Sequence, residues 1–191
     1  MEDLLRMLES DEKIIWQGKP ENFETLDKTH KSIFVRRLIM AAATSLILVS
    51  VYLWFMLSKG NEINWFFVIA VPVLSALSPI AIYTYARRLR KKTLYAASNK
   101  RLFVFSGDLR DCDYSMIKKA CFKTDEDGHT SLLCGEGAIN APAGKWRVCS
   151  LFGLNDLEAV GGPCCDRFAF YALADKEELR KALAPYLKIE G

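Results

Sequence analysis

The sequence predicts an α+β protein with two transmembrane helices, in which a helical hairpin is followed by an antiparallel β domain with a C-terminal helix. Two long uncharged runs lie close together, short segments rich in β-forming residues follow them, and an amphipathic stripe ends the chain. The 191 residues are 51% hydrophobic and 26% charged, so apolar and charged residues must be segregated along the chain.

Residues 38–58 and 63–86 form the predicted hairpin. Neither run contains a charged residue, and at 1.5 Å per residue each is long enough to cross a hydrocarbon core of roughly 30 Å. Pro72 and Pro79 are expected to kink the second helix. A secretory signal is excluded because the first run is too long and begins too late. A buried helix pair in a soluble protein is disfavoured because the rest of the chain is too small to cover both helices. Because the loop is short, both chain ends must lie on one side.

Basic residues cluster at the two ends of this hairpin. Residues 28–37 carry four basic and no acidic side chains, residues 87–92 carry five basic ones, and residues 93–191 carry thirteen basic and fourteen acidic ones. The positive-inside rule therefore places both termini and the β domain in the cytoplasm, at the inner face of the membrane. Basic residues beside a helix also attract anionic lipid. The predicted membrane-surface residues are Arg36, Arg37, Arg87, Arg88, Arg90, Lys91 and Lys92.

Composition and motifs argue against several classes of function. A near-neutral β domain excludes nucleic-acid binding. Six cysteines without a CxxC pair predict no metal site, and in the cytoplasm they are expected to stay reduced thiols. No cofactor motif occurs, and a nucleophile pair of His129 with Cys121 or Cys134 has no orienting partner. No ionisable residue interrupts either run, which argues against transport by the hairpin alone.

The β domain is predicted from segments rich in β-forming residues that alternate with turn signals. Asn99-Lys100 and the acidic stretch ending at Gly128 are the expected hairpin turns. Asp175 and Glu178 resemble a capping box for a C-terminal amphipathic helix, which Pro185 is expected to end or kink. The predicted strands are residues 93–99, 101–107, 116–123, 129–135, 146–151 and 167–173.

Two motifs carry a resemblance to a known family. Residues 12–20, EKIIWQGKP, and residues 95–105, YAASNKRLFVF, are similar to the lead-in and the strand-turn motif of membrane-anchored bacterial PH-like domain proteins. The stretch from Gly128 to Gly135 also resembles a turn and strand of that family. The resemblance implies a PH-like fold of bent antiparallel strands closed by a C-terminal helix. The family-motif residues are Trp16, Gly18, Pro20, Tyr95, Asn99 and Arg101.

The chain departs from the family at two places. Ser98 stands where the family motif has Thr, and the segment from Gly153 to Asp166 matches nothing in the family. Asn99, Lys100 and Arg101 could form a ligand-binding cluster, but turn chemistry suffices to explain them and is the preferred interpretation. The net charge of residues 93–191 is close to zero, so this domain gives no reason to expect phosphoinositide binding.

The predicted organisation is a cytoplasmic lead-in at 1–37, transmembrane helices at 38–58 and 63–86, and a PH-like domain at 93–191. The expected function is that of a non-enzymatic membrane-anchored module that presents a cytoplasmic domain to a protein, a peptide or a lipid surface. The expected partners are the lipid bilayer and an unidentified protein or a second copy of the chain. Alternatives are an accessory subunit of a larger membrane complex and a cysteine-dependent membrane enzyme.

Overall fold

The structure, a computed structural model, describes residues 8–22, 24, 26–153 and 164–190. The chain forms two compact units. The hairpin unit is Thr25–Arg87, and the β unit combines residues up to Glu24 with those from Arg88 onward. The β unit is thus assembled from chain on both sides of the hairpin, whereas the sequence analysis treated residues 1–37 as a separate lead-in.

Two long helices form the hairpin, α1 (Lys28–Ser58) and α2 (Trp65–Lys92). They include the basic residues and the apolar runs except for Ile63 and Asn64, and α2 continues through Pro72 and Pro79. Asp27 caps α1, since its carboxylate accepts a hydrogen bond of 2.9 Å from the His30 backbone N–H. Ring contacts at both ends of the pair confirm the antiparallel arrangement. They join Tyr52 to Phe67 and Phe34 to Tyr83, at 4.5 and 5.8 Å between centroids.

The first sheet of the β unit is an antiparallel meander of four strands in chain order. These strands are β1 (Ile14–Gly18), β2 (Leu94–Ser98), β3 (Arg101–Phe105) and β4 (Leu109–Asp113). The predicted turn at Asn99-Lys100 is confirmed, because β2 and β3 pair directly across it. β1 and β4 are not among the strands predicted from the sequence. The pairing of β1 with β2 joins the segment before the hairpin to the segment after it.

The second sheet has the order β7-β6-β5-β8. Its strands are β5 (Ala120–Thr124), β6 (Thr130–Cys134), β7 (Phe168–Phe170) and β8 (Ile189–Glu190), of which β8 runs parallel to β5. The predicted turn between β5 and β6 is confirmed. Asp125 accepts hydrogen bonds from the backbone N–H groups of Asp127 and His129, and Gly128 takes a positive φ of 87°.

Helices fill the rest of the β unit, namely α3 (Glu136–Ile139), α4 (Ala143–Phe152) and α5 (Lys176–Leu183). The predicted amphipathic C-terminal helix is confirmed as α5, which buries Leu179 and Leu183 in a core that also contains residues of both sheets. The helix ends two residues before Pro185. Asp175 occupies the N-cap position, but its side chain makes no capping hydrogen bond, so that part of the capping-box prediction is wrong.

The strand predicted at 146–151 is wrong, because these residues lie in α4. Trp146, Cys149 and Ser150 are all buried, and their spacing of three and four residues places them on one face of a helix. The helix begins after Pro142 and ends before Gly153, which takes the left-handed conformation. Those flanking signals outweigh the partial alternation from which a strand was predicted.

The tryptophan of the lead-in motif lies across the glycine two residues later, and this contact generates a prediction about stability. Trp16 is 5% exposed and stacks on Phe170 in the core. A Cβ atom on Gly18 would lie 2.3 Å from the Trp16 indole, so Gly18→Ala must displace a core aromatic ring. We expect a loss of about 1–3 kcal/mol in the free energy of unfolding.

The measurement is denaturant unfolding of the full chain in a mild detergent, with tryptophan fluorescence as the signal that reports unfolding. The matched control is Gln17→Ala, because Gln17 lies in the same strand with an exposed side chain. Equal stability of the two variants would contradict the packing described for Trp16.

Candidate functional site

The family-motif residues come together where the lead-in meets the first sheet. Trp16 and Gly18 lie in β1, Tyr95 in the paired strand β2, and Arg101 at the start of β3. Pro20 forms an isolated β-bridge with Leu173. The motif therefore marks the contact between two segments that are distant in sequence. We call the polar part of this contact, formed by Glu12, Ser98, Asn99, Lys100 and Arg101, the lead-in joint.

A buried ion pair lies at the centre of the lead-in joint. The Arg101 guanidinium donates from Nε and Nη2 to the two Glu12 carboxylate oxygens, at 3.0 and 2.9 Å. The Ser98 hydroxyl donates to the same carboxylate at 2.6 Å. These hydrogen bonds, chiefly those from Arg101, lower the pKa of the Glu12 carboxyl to about 2 although burial opposes its ionisation. Glu12 is part of the lead-in motif, but the sequence alone predicts no role for it.

The neighbouring side chains complete the lead-in joint. Asn99 accepts from the Lys13 backbone N–H at 2.9 Å and donates to the Asp11 carbonyl at 3.2 Å, so its amide extends the strand pairing. Lys100 forms exposed ion pairs with Glu9 and Asp11, which raise the pKa of its ammonium group. Since these polar groups bind the lead-in itself, the structure favours the structural interpretation of Asn99, Lys100 and Arg101.

A second polar network lies inside the β unit, and Tyr95 is its one member that belongs to the family motif. The buried Tyr95 hydroxyl donates to the Tyr171 carbonyl at 2.9 Å and lies 2.5 Å from the Ser150 hydroxyl. The Tyr171 hydroxyl donates to Asp125 at 2.6 Å. Burial raises the pKa of both phenols, so they stay protonated and act as donors. This network fastens α4 and the β5–β6 turn to the sheets.

The three free cysteines among the described residues are unfavourable for nucleophilic chemistry. Cys121, Cys134 and Cys149 are free and buried, and desolvation raises the pKa of each thiol, which is the opposite of an activated thiolate. The ring of His129, the residue considered as a base for a cysteine nucleophile, places Nδ1 3.0 Å from the Glu21 carboxylate. Cys112 is disulfide-bonded, so the expectation that all six cysteines are reduced thiols is wrong for this residue. Within the part of the chain that the structure describes, no group of His, Cys, Asp and Glu could hold a metal ion.

The predicted membrane-surface residues all lie in α1 or in the last two turns of α2. Arg36, Arg37, Arg87 and Arg88 are exposed, as are Lys91 and Lys92, while Arg90 is half-buried. None of them belongs to the lead-in joint. The two sets of predicted site residues thus differ in burial: the family-motif residues are buried or half-buried, and the membrane-surface residues other than Arg90 are exposed.

The most extensive candidate surface is the apolar surface of the hairpin. Both helices are long and apolar enough to span a membrane, and only 6% of the residues in the most apolar window of each are buried. Large side chains are open all along it, including Trp54 at 71% and Phe66 at 79% exposure. Soluble proteins rarely expose a continuous apolar patch of this extent, so a lipid or protein environment is required to cover it.

Comparisons with known protein families, with curated proteins and with solved structures found no match to this chain. Most of the segment from Gly153 to Asp166 lies outside the described residues.

The lead-in joint generates a prediction that compares two adjacent basic residues. Arg101→Ala leaves the buried Glu12 carboxylate without its main partner, and loss of one member of a buried pair costs about 3–5 kcal/mol. Lys100→Ala removes only exposed ion pairs, so its loss of stability should be much smaller than that of Arg101→Ala. Denaturant unfolding of the full chain in detergent measures both values, and similar losses for the two variants would show that Glu12 is not held as described.

The same pair predicts a pH dependence. The pKa of Glu12 is about 2 in the folded chain against an ordinary value of 4.5, so its contribution is complete above about pH 4.5 and is lost as the pH falls toward 2. We expect the difference in unfolding free energy between the unmodified chain and Glu12→Gln to be roughly 3 kcal/mol at neutral pH. The difference should shrink below pH 4.5. A difference that stays constant down to pH 3 would argue against a depressed pKa.

Proposed function

We propose that the chain is a membrane-anchored, non-enzymatic PH-like module whose hairpin crosses the bilayer and holds the β unit at the cytoplasmic face. There the β unit is available to a protein, a peptide or a lipid surface. The observation that carries the proposal is the pairing of β1 with β2 across the hairpin. Strands on opposite sides of a membrane could not pair, so any crossing between them must involve an even number of spans, and the described part of the chain has two suitable helices.

The PH-like assignment is supported by the arrangement of the β unit. A four-stranded antiparallel meander is followed by a second, mainly antiparallel sheet, and the amphipathic helix α5 packs its apolar face into their common core. The motif residues also have physical roles in this fold, since Trp16, Gly18, Tyr95 and Arg101 all form contacts that join its parts. The helices α3 and α4 are inserted between β6 and β7.

Two observations bear on which side the β unit occupies. The nine basic residues flanking the hairpin favour the cytoplasm, because the connecting loop is neutral. The disulfide at Cys112 favours an oxidising compartment. The charges on both flanks act together on helix orientation, so we propose the cytoplasmic side, and the labelling of Ser115→Cys tests it against the oxidising side that the disulfide favours.

The alternative of an accessory subunit in a larger membrane complex draws on a different feature. Small residues on the hairpin, including Ala42, Ala43 and Ala76, are exposed and would let another helix approach closely. Extraction in mild detergent distinguishes the anchored module from the accessory subunit. A single chain or a small homo-oligomer supports the anchored module, and a stoichiometric second membrane protein supports the subunit.

Topology is tested with two cysteine variants labelled by a maleimide that cannot cross membranes. Asn61→Cys lies in the exposed loop of the hairpin and Ser115→Cys in an exposed position of the β unit. We expect Asn61→Cys to label in intact cells and Ser115→Cys to label only after permeabilisation, with the unmodified chain as the background in both cases.

The other labelling patterns contradict the proposal in different ways. Labelling of Ser115→Cys alone in intact cells would invert the orientation. If neither variant, or both variants, labelled before permeabilisation, the loop and the β unit would lie on the same side and the hairpin would not cross the membrane.

A further inference from the structure

A groove of about 540 Å³ lies between α1 and α2, toward the open end of the hairpin. Arg36 and Arg37 line it from α1, and the small residues Ser75 and Ser78 line it together with Pro79 from α2. Its volume is within the roughly 300–1,000 Å³ typical of small-molecule sites. The groove thus combines a mainly apolar lining with two positively charged side chains.

The two arginines lie deeper than the basic residues of α2. The contact between the Phe34 and Tyr83 rings sets the level of the two helices, and by this register Arg37 lies opposite residue 80. Arg87 is seven residues further along α2, which corresponds to about 10 Å. Arg36 and Arg37 are therefore level with an uncharged part of the neighbouring helix.

No residue of the hairpin neutralises these arginines. Glu62, in the loop at the opposite end, is the only acidic residue in the sequence from Lys28 to Lys92. Within the described part of the chain, neither guanidinium makes an ion pair or a hydrogen bond. An arginine at this depth requires an anion or water, and a phosphate group supplies the charge and the acceptor oxygens that a guanidinium binds best.

We propose that this groove binds one anionic phospholipid, whose phosphate accepts hydrogen bonds from Arg36 and Arg37 while an acyl chain lies along Ser75, Ser78 and Pro79. A second copy of the chain is a poor occupant. In the same membrane it would carry its own arginines at the same depth, and like charges would meet. The inference rests on the proposed membrane crossing, because the groove is level with lipid headgroups only if the hairpin spans.

The test is native mass spectrometry of the full chain in a mild detergent. The chain is titrated with dioleoylphosphatidylglycerol and, in parallel, with the zwitterionic dioleoylphosphatidylcholine. We expect one anionic lipid to be retained in preference to the zwitterionic one. Each cation near lipid contributes on the order of 1 kcal/mol, so the double variant Arg36→Gln, Arg37→Gln should bind the anionic lipid about thirtyfold more weakly.

Two further variants separate this site from general electrostatic attraction. The double variant Lys28→Gln, Lys31→Gln removes the same charge from the same flank but changes no residue of the groove, so it should retain the lipid. Ser75→Leu keeps every charge but fills the groove, so it should lose the lipid. Excess glycerol phosphate should not displace the lipid, because it has no acyl chain.

Four results would overturn the proposal. They are equal retention of both lipids, equal weakening by the two double variants, unchanged binding by Ser75→Leu, or a dimer that excludes lipid from the groove. Topology is measured independently on the same variants through Asn61→Cys and Ser115→Cys. Labelling that matches a spanning hairpin together with absent lipid binding would refute the lipid site alone, whereas labelling that shows no crossing would refute the proposed function.

Discussion

The pairing of β1 with β2 is the interaction on which the arrangement of the whole chain depends. It joins a segment that precedes the hairpin to the first strand that follows it, so the hairpin begins and ends at the same folded unit. The buried pair of Glu12 and Arg101 holds this strand contact at one end, and Trp16 anchors it in the core by stacking on Phe170. Because a charge pair and a large aromatic ring are both buried, a shifted register would leave unpaired charge and exposed apolar area.

The same pairing protects the first sheet. Without β1, the strand β2 would be an open edge of the sheet, and open edges are templates for unwanted pairing between chains. The lead-in covers that edge, and Asn99 extends the coverage by hydrogen bonding to the backbone of Asp11 and Lys13. The lead-in, predicted from the sequence as a separate segment, thus supplies a strand of the β unit.

The distribution of charge also has a physical explanation in the structure. Acidic residues of the lead-in, Glu9, Asp11 and Glu12, are paired with Lys100 and Arg101 of the first sheet. The basic residues next to the hairpin have no comparable acidic neighbours in sequence. Charge is therefore neutralised inside the β unit, and the positive excess remains where the chain meets the bilayer in the proposed arrangement.

The sequence by itself determined the elements that depend on local pattern. The two apolar helices, the turns at Asn99-Lys100 and before Gly128, and the amphipathic helix α5 all follow from hydrophobic period and turn chemistry, which act over a few residues. Only the tertiary structure decided that Glu12 pairs with Arg101, that Tyr95 fastens α4, and that Arg36 and Arg37 line a groove. These are contacts between residues far apart in the chain, or between facing helices, and their partners are chosen by packing and desolvation. The helix at 143–152 is a case in which the local pattern and the tertiary contacts favoured different structures. Its six-residue alternation was a local signal too short to separate strand from helix, and burial of one helical face in the assembled core settled the matter.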